Sequence, residues 1–438
     1  MKYDYFFELA KQKGIEECEL KIAESYSLSF SLFHSEMDDY QVNNGYSIIA
    51  RGLINGKFGT ASCDVWNKEK AEFLVDEIVK NAKVIEDDDP MFIYKGDAKY
   101  KKINTYNKEL FDIPAEQKVK KLYELEDLLK KGEKISEVAG VSYSESRSVN
   151  TLLNSHGLKL SQKNNYYFIV GEAVAKEGEQ VKTGYDFLFG NNFNDIDVKA
   201  LADKIILETT SQLGGEPCES NDYPVVLDNS CVASLINAYL SSADAEEVQK
   251  HTSLFEGKLN TKVASSKVTI EDRPLQRSLF ARGFDDEGVA TYNKPIIKKG
   301  VLATYLYNLT TAAKDGVKST GNGFGGAKIG TSPVFVYMKP GKKSLEELFL
   351  EVNNGVYITD LQGLHAGLDP QTGNFSLQST GFLIKDGKKD RPLDIITVSG
   401  NLMKLFMNIK TLGNDSKSFL SAVNCPSVIV KKLAIGGK

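Results

Sequence analysis

The chain contains two successive stretches in which the sequence predicts a helix, then several strands, then a second helix. The first stretch begins with a helix over residues 2–13 and closes with a helix after Asn67, and the second runs from a helix at 115–131 to one at 198–212. Between these helices, polar and apolar residues alternate as in half-buried strands, which we predict among others at roughly 46–53, at 138–149 and at 151–160. Asn55–Gly56 is a pair typical of tight hairpins. Strands that come in runs, without regular βα alternation, favour an α+β fold over a doubly wound parallel sheet.

The residues after Gly214–Gly215 follow a different pattern, because short strands separated by glycine turns predominate there. Further helices are predicted at 230–240, 344–353 and 401–409. We therefore predict an N-terminal α+β domain over residues 1–215 and a larger, strand-rich C-terminal domain over residues 216–438. The N-terminal domain divides into two units, 1–110 and 111–215, which we interpret as a structural duplication.

The charge balance and the cysteine pattern argue against several classes of function. The 438 residues carry 54 Lys and Arg against 59 Asp and Glu, a net charge of −5, so no basic field would hold a nucleic-acid backbone. No run approaches the roughly 18 apolar residues of a membrane helix, and the N-terminus lacks a signal-peptide pattern. The five cysteines are far apart and form no CxxC pair, which indicates free thiols in a reducing compartment. We expect a cytoplasmic protein without direct nucleic-acid or membrane partners.

The acidic run at 86–90 is expected to end the helix after Asn67.

Residues 355–388 predict the clearest local structure, a strand, a glycine-rich loop and a second strand. Gly363 and Gly367 permit backbone angles that other residues resist, and the loop between them carries His365. Only 4 histidines occur in the chain, so a histidine-rich metal site cannot form locally. His365 is therefore a candidate catalytic residue that needs partners from distant parts of the sequence.

Residues 246–251 approach a metallopeptidase motif. They read Glu-Glu-Val-Gln-Lys-His, with Glu246 where an HExxxH helix would carry its first histidine. Such a helix works because two imidazoles bind zinc while the glutamate activates a water molecule. Because the first histidine is missing, the solvated end of an acidic helix is the favoured interpretation. An autonomous metal-dependent hydrolase that uses Glu247, His251 and His365 stays open as an alternative.

Two other segments contain residue types that are found in binding sites. Residues 321–326 match GxGxxG, but no predicted strand precedes them and no helix follows, so a structural loop is favoured over a nucleotide site. Asp285, Asp286 and Glu287 cluster beside a glycine, yet they lack the spaced oxygen ligands of an EF-hand loop. We expect a turn between strands at this cluster.

A series of short motifs occurs in one order between residues 225 and 438. It comprises residues 252–255 with 263–265, 270–274, 283–288, 299–305, 319–323, 340–348, 355–357, 373–376, 381–382 and 435–437. Each motif alone is weak, but the ordered series is specific, and it resembles the TldD/PmbA family, formerly described as modulators of DNA gyrase. The two helix–sheet–helix stretches that precede the series suit the variable N-terminal half of that family.

The family that the chain resembles has two branches. The TldD branch carries HExxxH on a helix and a cysteine near the C-terminus, which implies a zinc peptidase. The PmbA branch, also called TldE, lacks these ligands and pairs with TldD in a heterodimer that degrades or matures peptides. Here the expected helix positions, 236–241, read Ile-Asn-Ala-Tyr-Leu-Ser, and the positions expected for the cysteine, 411–414, read Thr-Leu-Gly-Asn. The chain therefore resembles the PmbA/TldE branch.

This resemblance implies a non-catalytic subunit that pairs with a TldD-like catalytic subunit and helps to enclose extended or unfolded peptides. It implies no catalytic, cofactor-binding or metal-ligating residue in this chain, with zinc in the TldD-type partner, and a homodimer when the chain is isolated. The alternatives are the autonomous hydrolase with Glu247 and His251, and a regulatory protein that binds DNA gyrase.

Overall fold

The first half of the chain folds as one six-stranded antiparallel sheet with helices packed on one face. The computed structural model describes residues 2–86, 89–96 and 99–438. The strands pair in the order β3-β2-β1-β4-β5-β6. Their bounds are β1 Glu17–Phe33, β2 Glu36–Ile54, β3 Lys57–Cys63, β4 Ile135–Asn154, β5 Lys159–Glu177 and β6 Gln180–Gly190. The helices are α1 Asp4–Gln12, α2 Lys68–Ala82, α3 Glu109–Asp112, α4 Ala115–Lys130 and α5 Val198–Thr210.

Alternate side chains of β1 explain where the core of this half lies, because successive residues of a strand point to opposite faces. Leu20 and Ile22 share an apolar cluster with α2, and Phe30 shares a second one with α4 and α5. Helix α2 begins after Asn67, whose side chain accepts a hydrogen bond from the Lys70 amide as capping residues do. The core therefore lies between the helices and one face of the sheet.

Two further six-stranded sheets form the second half of the chain. One has the order β16-β15-β14-β7-β20-β17 and the other β10-β9-β8-β13-β19-β18, with β11 and β12 as a separate pair. Their bounds are β7 Asn221–Leu227, β8 Ile270–Asp272, β9 Lys294–Lys298, β10 Val301–Leu302, β11 Gly323–Gly325, β12 Ile329–Thr331, β13 Val336–Met338, β14 Gly355–Gln362, β15 Asn374–Lys385, β16 Lys388–Asn401, β17 Ile409–Leu412, β18 Lys417–Ser418, β19 Val423–Cys425 and β20 Val428–Gly436.

Six helices accompany these two sheets. They are α6 Asn229–Leu240, α7 Ala245–Gln249, α8 Leu309–Lys314, α9 Leu345–Val352, α10 Leu364–Gly367 and α11 Leu402–Met407. Residues of both sheets and of α6 and α11 share one large apolar cluster, which makes this half a single packed unit. None of the helices in the described part of the chain is both long enough and apolar enough to cross a bilayer.

The predicted α+β class is confirmed, whereas two predicted strand boundaries are wrong. Segments 138–149 and 151–160 were predicted as separate strands, but β4 runs without a break to Asn154, because β1 offers it a partner along its length, from Leu32 against Val141 to Glu19 against Asn154. Strand β2 begins at Glu36, about ten residues before the predicted start at 46, because its polar, exposed first part gives no alternation signal.

Both predicted repeats contribute to a single sheet, since β1 of the first pairs with β4 of the second. The division at residues 110 and 215 into domains and units stays a prediction. The acidic stop predicted at 86–90 lies partly outside the described residues, and α2 itself ends at Ala82.

Candidate functional site

Helix α6 is fixed at both ends by buried contacts. At its start, the Asp228 carboxylate accepts hydrogen bonds from the Ser230 amide at 2.9 Å and the Tyr357 hydroxyl at 2.6 Å. Near its end, the fully buried ring of Tyr239 stacks on Phe406 with centroids 4.2 Å apart, and its hydroxyl donates to the carbonyl of Val263 at 2.5 Å. These contacts set the position of the last turn of α6.

A cavity of about 680 Å³ lies at the C-terminal end of α6. Its polar lining consists of Asn237, Ser241, Asp244, Glu247, Thr331, Ser332 and Ser421. Its apolar lining consists of Leu240, Leu306, Pro333, Val336, Pro370 and Ala422. A volume of this size is typical of sites for small molecules or a few residues of a peptide. The lining comes from segments up to 185 positions apart in sequence, so only the folded chain forms the cavity.

Two acidic residues line this cavity, Glu247 on the short helix α7 and Asp244 immediately before it. Asp244 caps the helix by accepting a hydrogen bond from the Glu246 amide at 2.9 Å, and its backbone pairs with that of Leu306. Burial raises the pKa of Asp244 above its usual value, and the nearby charges of Glu246 and Glu247 raise it further. The Glu247 carboxylate accepts a hydrogen bond from the Thr252 hydroxyl at 2.6 Å, which fixes its orientation.

The three candidate residues from the sequence do not meet at one site. Glu247 lines the cavity, but the exposed ring of His251 turns to the Glu256 carboxylate, and His251 has a left-handed backbone with φ of 61°. His365 is exposed on α10, whereas Pro370 of the same loop reaches the cavity. Asp244 escaped sequence reasoning because no motif marks it, although its place just before a helix is a capping signal.

The donor atoms at the end of α6 do not fit a zinc site. Zinc in proteins prefers imidazole nitrogen, thiolate sulfur and carboxylate oxygen in a tetrahedral set. Asn237 and Ser241 offer an amide and a hydroxyl to the cavity instead. The thiol of Cys425 is buried, which raises its pKa, and it donates to the carbonyl of Asn229. Within the described ranges, no three His, Cys, Asp or Glu side chains lie close enough together to hold a metal ion.

The glycine segment at 321–326 and the acidic cluster at 285–287 bind each other. The Gly323 amide donates to a carboxyl oxygen of Asp285 at 2.9 Å, and the Gly325 amide donates to Asp286 at 3.0 Å. Glu287 accepts the Leu309 amide at 2.8 Å. Carboxyl groups thus occupy the backbone amides that a phosphate would need. The predicted turn at 285–287 is present, but the loop predicted at 321–326 is wrong in part, because residues 323–325 pair with β12 as the short strand β11.

Comparison with known proteins identifies the class of protein to which this fold belongs. The family model described as PmbA/TldA metallopeptidase central domain matches residues 108–213, and the model described as PmbA/TldA metallopeptidase C-terminal domain matches residues 220–437. The chain is therefore built of metallopeptidase-family domains over most of its length. It belongs to the PmbA/TldD family.

Three relatives illustrate the similarity. A Metalloprotease PmbA homolog of Buchnera aphidicola is 28% identical over 66% of this chain and 63% of its own length. The structure of a proposed modulator of a DNA gyrase from Thermotoga maritima superposes with a TM-score of 0.92, at 30% identity over 99% of both chains. The structure of TldE from Thermococcus kodakarensis gives a TM-score of 0.91, at 25% identity over 100% of both chains.

Proposed function

We propose that this chain is the non-catalytic, TldE-type subunit of a peptidase complex whose zinc is held by a TldD-type partner. The observation that carries the proposal is the composition of α6 at the cavity, where Asn237, Leu240 and Ser241 line the space. A zinc peptidase needs imidazole ligands and a general base on such a helix. This chain offers an amide, an alkyl group and a hydroxyl there. The similarity to TldE over its whole length supports the same branch.

The role that we propose for the chain is to hold and enclose peptide substrates. Ser421 follows the edge strand β18, and Ser332 follows β12, so main-chain groups of irregular segments lie beside the cavity. Backbone pairing at a strand edge suits the capture of extended peptides with little sequence preference. We place this activity in the cytoplasm and expect the isolated chain to form homodimers until a TldD-type subunit replaces one copy.

The test is to purify the chain alone and together with a TldD-type subunit that carries HExxxH. Size-exclusion chromatography with light scattering reports assembly, elemental analysis reports bound zinc, and cleavage of an unfolded peptide reports activity. We expect zinc and cleavage only in the mixed complex. Replacing the glutamate of the partner's HExxxH motif by glutamine should abolish cleavage without preventing assembly.

One zinc ion and peptide cleavage in the chain alone would contradict this proposal and favour an autonomous hydrolase. In that case His251→Ala should abolish the activity, whereas under our proposal it leaves the complex fully active. Recovery of DNA gyrase, in place of a TldD-type chain, with the tagged protein from a cell extract would favour the regulatory alternative.

A further inference from the structure

We infer that the cavity at the end of α6 binds a cationic group of a peptide, with Asp244 and Glu247 as its counter-charges. This inference rests on the proposed function and names the kind of peptide that the subunit prefers. The cationic group is the ammonium of a lysine side chain, the guanidinium of an arginine or a free peptide N-terminus. All three share a positive charge with several hydrogen-bond donors.

The charge of the lining is one-sided. Among the residues that the structure describes, Asp244 and Glu247 are the two ionisable side chains of the lining, and no lysine, arginine or histidine contributes to the cavity wall. The cations nearest in sequence are engaged elsewhere, because Lys250 and Lys328 both bind the Glu246 carboxylate, which does not line the cavity. Negative charge in a concave site raises the local concentration of cationic ligands.

Both carboxylates are held in place before a ligand arrives. Asp244 is fixed by its hydrogen bond to the α7 amide and by the backbone bridge to Leu306. One oxygen of Glu247 accepts the Thr252 hydroxyl, and its other oxygen has no hydrogen-bond partner among the residues that the structure describes. Preorganised acceptors cost little ordering entropy on binding, so this free oxygen is suited to receive a donor from the ligand.

The rest of the wall matches the other parts of a basic residue. Pro333, Pro370 and Ala422 form accessible apolar surface, against which the methylene stem of a lysine can pack while its charge reaches the carboxylates. The serines at 332 and 421 offer hydroxyl groups to the peptide backbone. An uncharged small ligand would leave both carboxylates without a counter-charge.

The experiment measures peptide binding by fluorescence anisotropy, with the complete chain and with its complex with a TldD-type subunit. The probe is an alanine- and serine-rich decapeptide with one central lysine, an acetylated N-terminus and a C-terminal fluorophore. A second peptide replaces lysine by norleucine, and a third has norleucine and a free N-terminus. We expect a cationic peptide to bind about tenfold more tightly than the neutral one, the size of one charge-assisted hydrogen bond.

Three variants identify the site. Glu247→Gln and Asp244→Asn should each remove the preference for the cationic peptide, and asparagine preserves the helix cap. Glu246→Gln changes the neighbouring carboxylate that faces Lys250 and Lys328, so it should keep the preference. Preference for the lysine peptide assigns the site to a side chain, and preference for the free N-terminus assigns it to a terminal ammonium. Either result supports the inference.

Equal affinity for all three peptides, or a preference that survives Glu247→Gln and Asp244→Asn in folded protein, would overturn it. Circular dichroism and assembly with the TldD-type subunit check that the variants fold. Assembly also separates the two proposals, because a complex that forms and cleaves without any cation preference contradicts only the cation site.

Discussion

Replacing Tyr239 by phenylalanine tests how α6 is held. The side chain is fully buried, and its hydroxyl donates to the Val263 carbonyl at 2.5 Å, so the change removes one donor and leaves a buried acceptor unpaired. A buried polar group without its partner costs about 1–3 kcal/mol. The ring contacts survive in this variant, since phenylalanine keeps the stack on Phe406 and the edge contact with Phe255 at 4.8 Å. Tyr239→Ala removes these contacts as well and should cost about 3–5 kcal/mol.

Urea unfolding followed by circular dichroism gives the free energy of unfolding, and hydrogen exchange with mass spectrometry gives the local stability of residues 229–240. We expect Tyr239→Phe to lower the unfolding free energy and to speed exchange in α6. Tyr185→Phe is the matched control, because Tyr185 is 65% exposed. Removing its hydroxyl should change the free energy of unfolding by less than about 0.5 kcal/mol. If both variants behaved alike, the hydroxyl of Tyr239 would not anchor helix α6.

Two further predictions concern buried charges. Burial and the charge of Glu287 raise the pKa of Asp285 to about 8, so the folded chain keeps a proton that the unfolded chain releases near its ordinary pKa of about 4. Stability from this proton is complete below pH about 4, declines as the pH rises and is lost above pH about 8, so the urea midpoint should fall between about pH 5 and 8 and then level off, with a smaller fall in Asp285→Asn. The second prediction concerns the buried ion pair in which Lys118 Nζ lies 2.7 Å from Glu145 Oε2. Lys118→Met should cost about 3–5 kcal/mol by leaving a buried charge unpaired, and adding Glu145→Gln should restore most of it in urea unfolding; no recovery would contradict this account.

The sequence was sufficient for the class of the fold and for elements with strong local signals. The Asn55–Gly56 turn and the capped helix after Asn67 follow from local rules that tertiary contacts do not override. The polar first part of β2 escaped prediction because pairing with β1, and not burial, makes it a strand. The extent of β4 escaped for the same reason.

The candidate site was predicted only in part. The sequence predicts Glu247 as a candidate because it forms a near-motif with His251. In the structure its neighbours are different, since Asp244 lies beside it and residues 331–333 and 421–422 line the same cavity. Such long-range juxtapositions leave no periodicity or spacing in a single sequence. The ordered family motifs identified the domain because together they extend over most of its length. No single motif among them indicates the cavity.

The order β3-β2-β1-β4-β5-β6 gives the first sheet an approximate twofold layout, with two three-stranded units joined edge to edge through β1 and β4. Either unit alone would expose a long unpaired edge, and exposed edges recruit other strands. More than 100 residues separate the end of β1 from the start of β4, so during synthesis the edge of β1 stays unpaired until β4 emerges. This interval makes the nascent first unit vulnerable to pairing with a neighbouring chain. Covalent linkage of the two units counters that risk, because it keeps the correct partner at a high effective concentration.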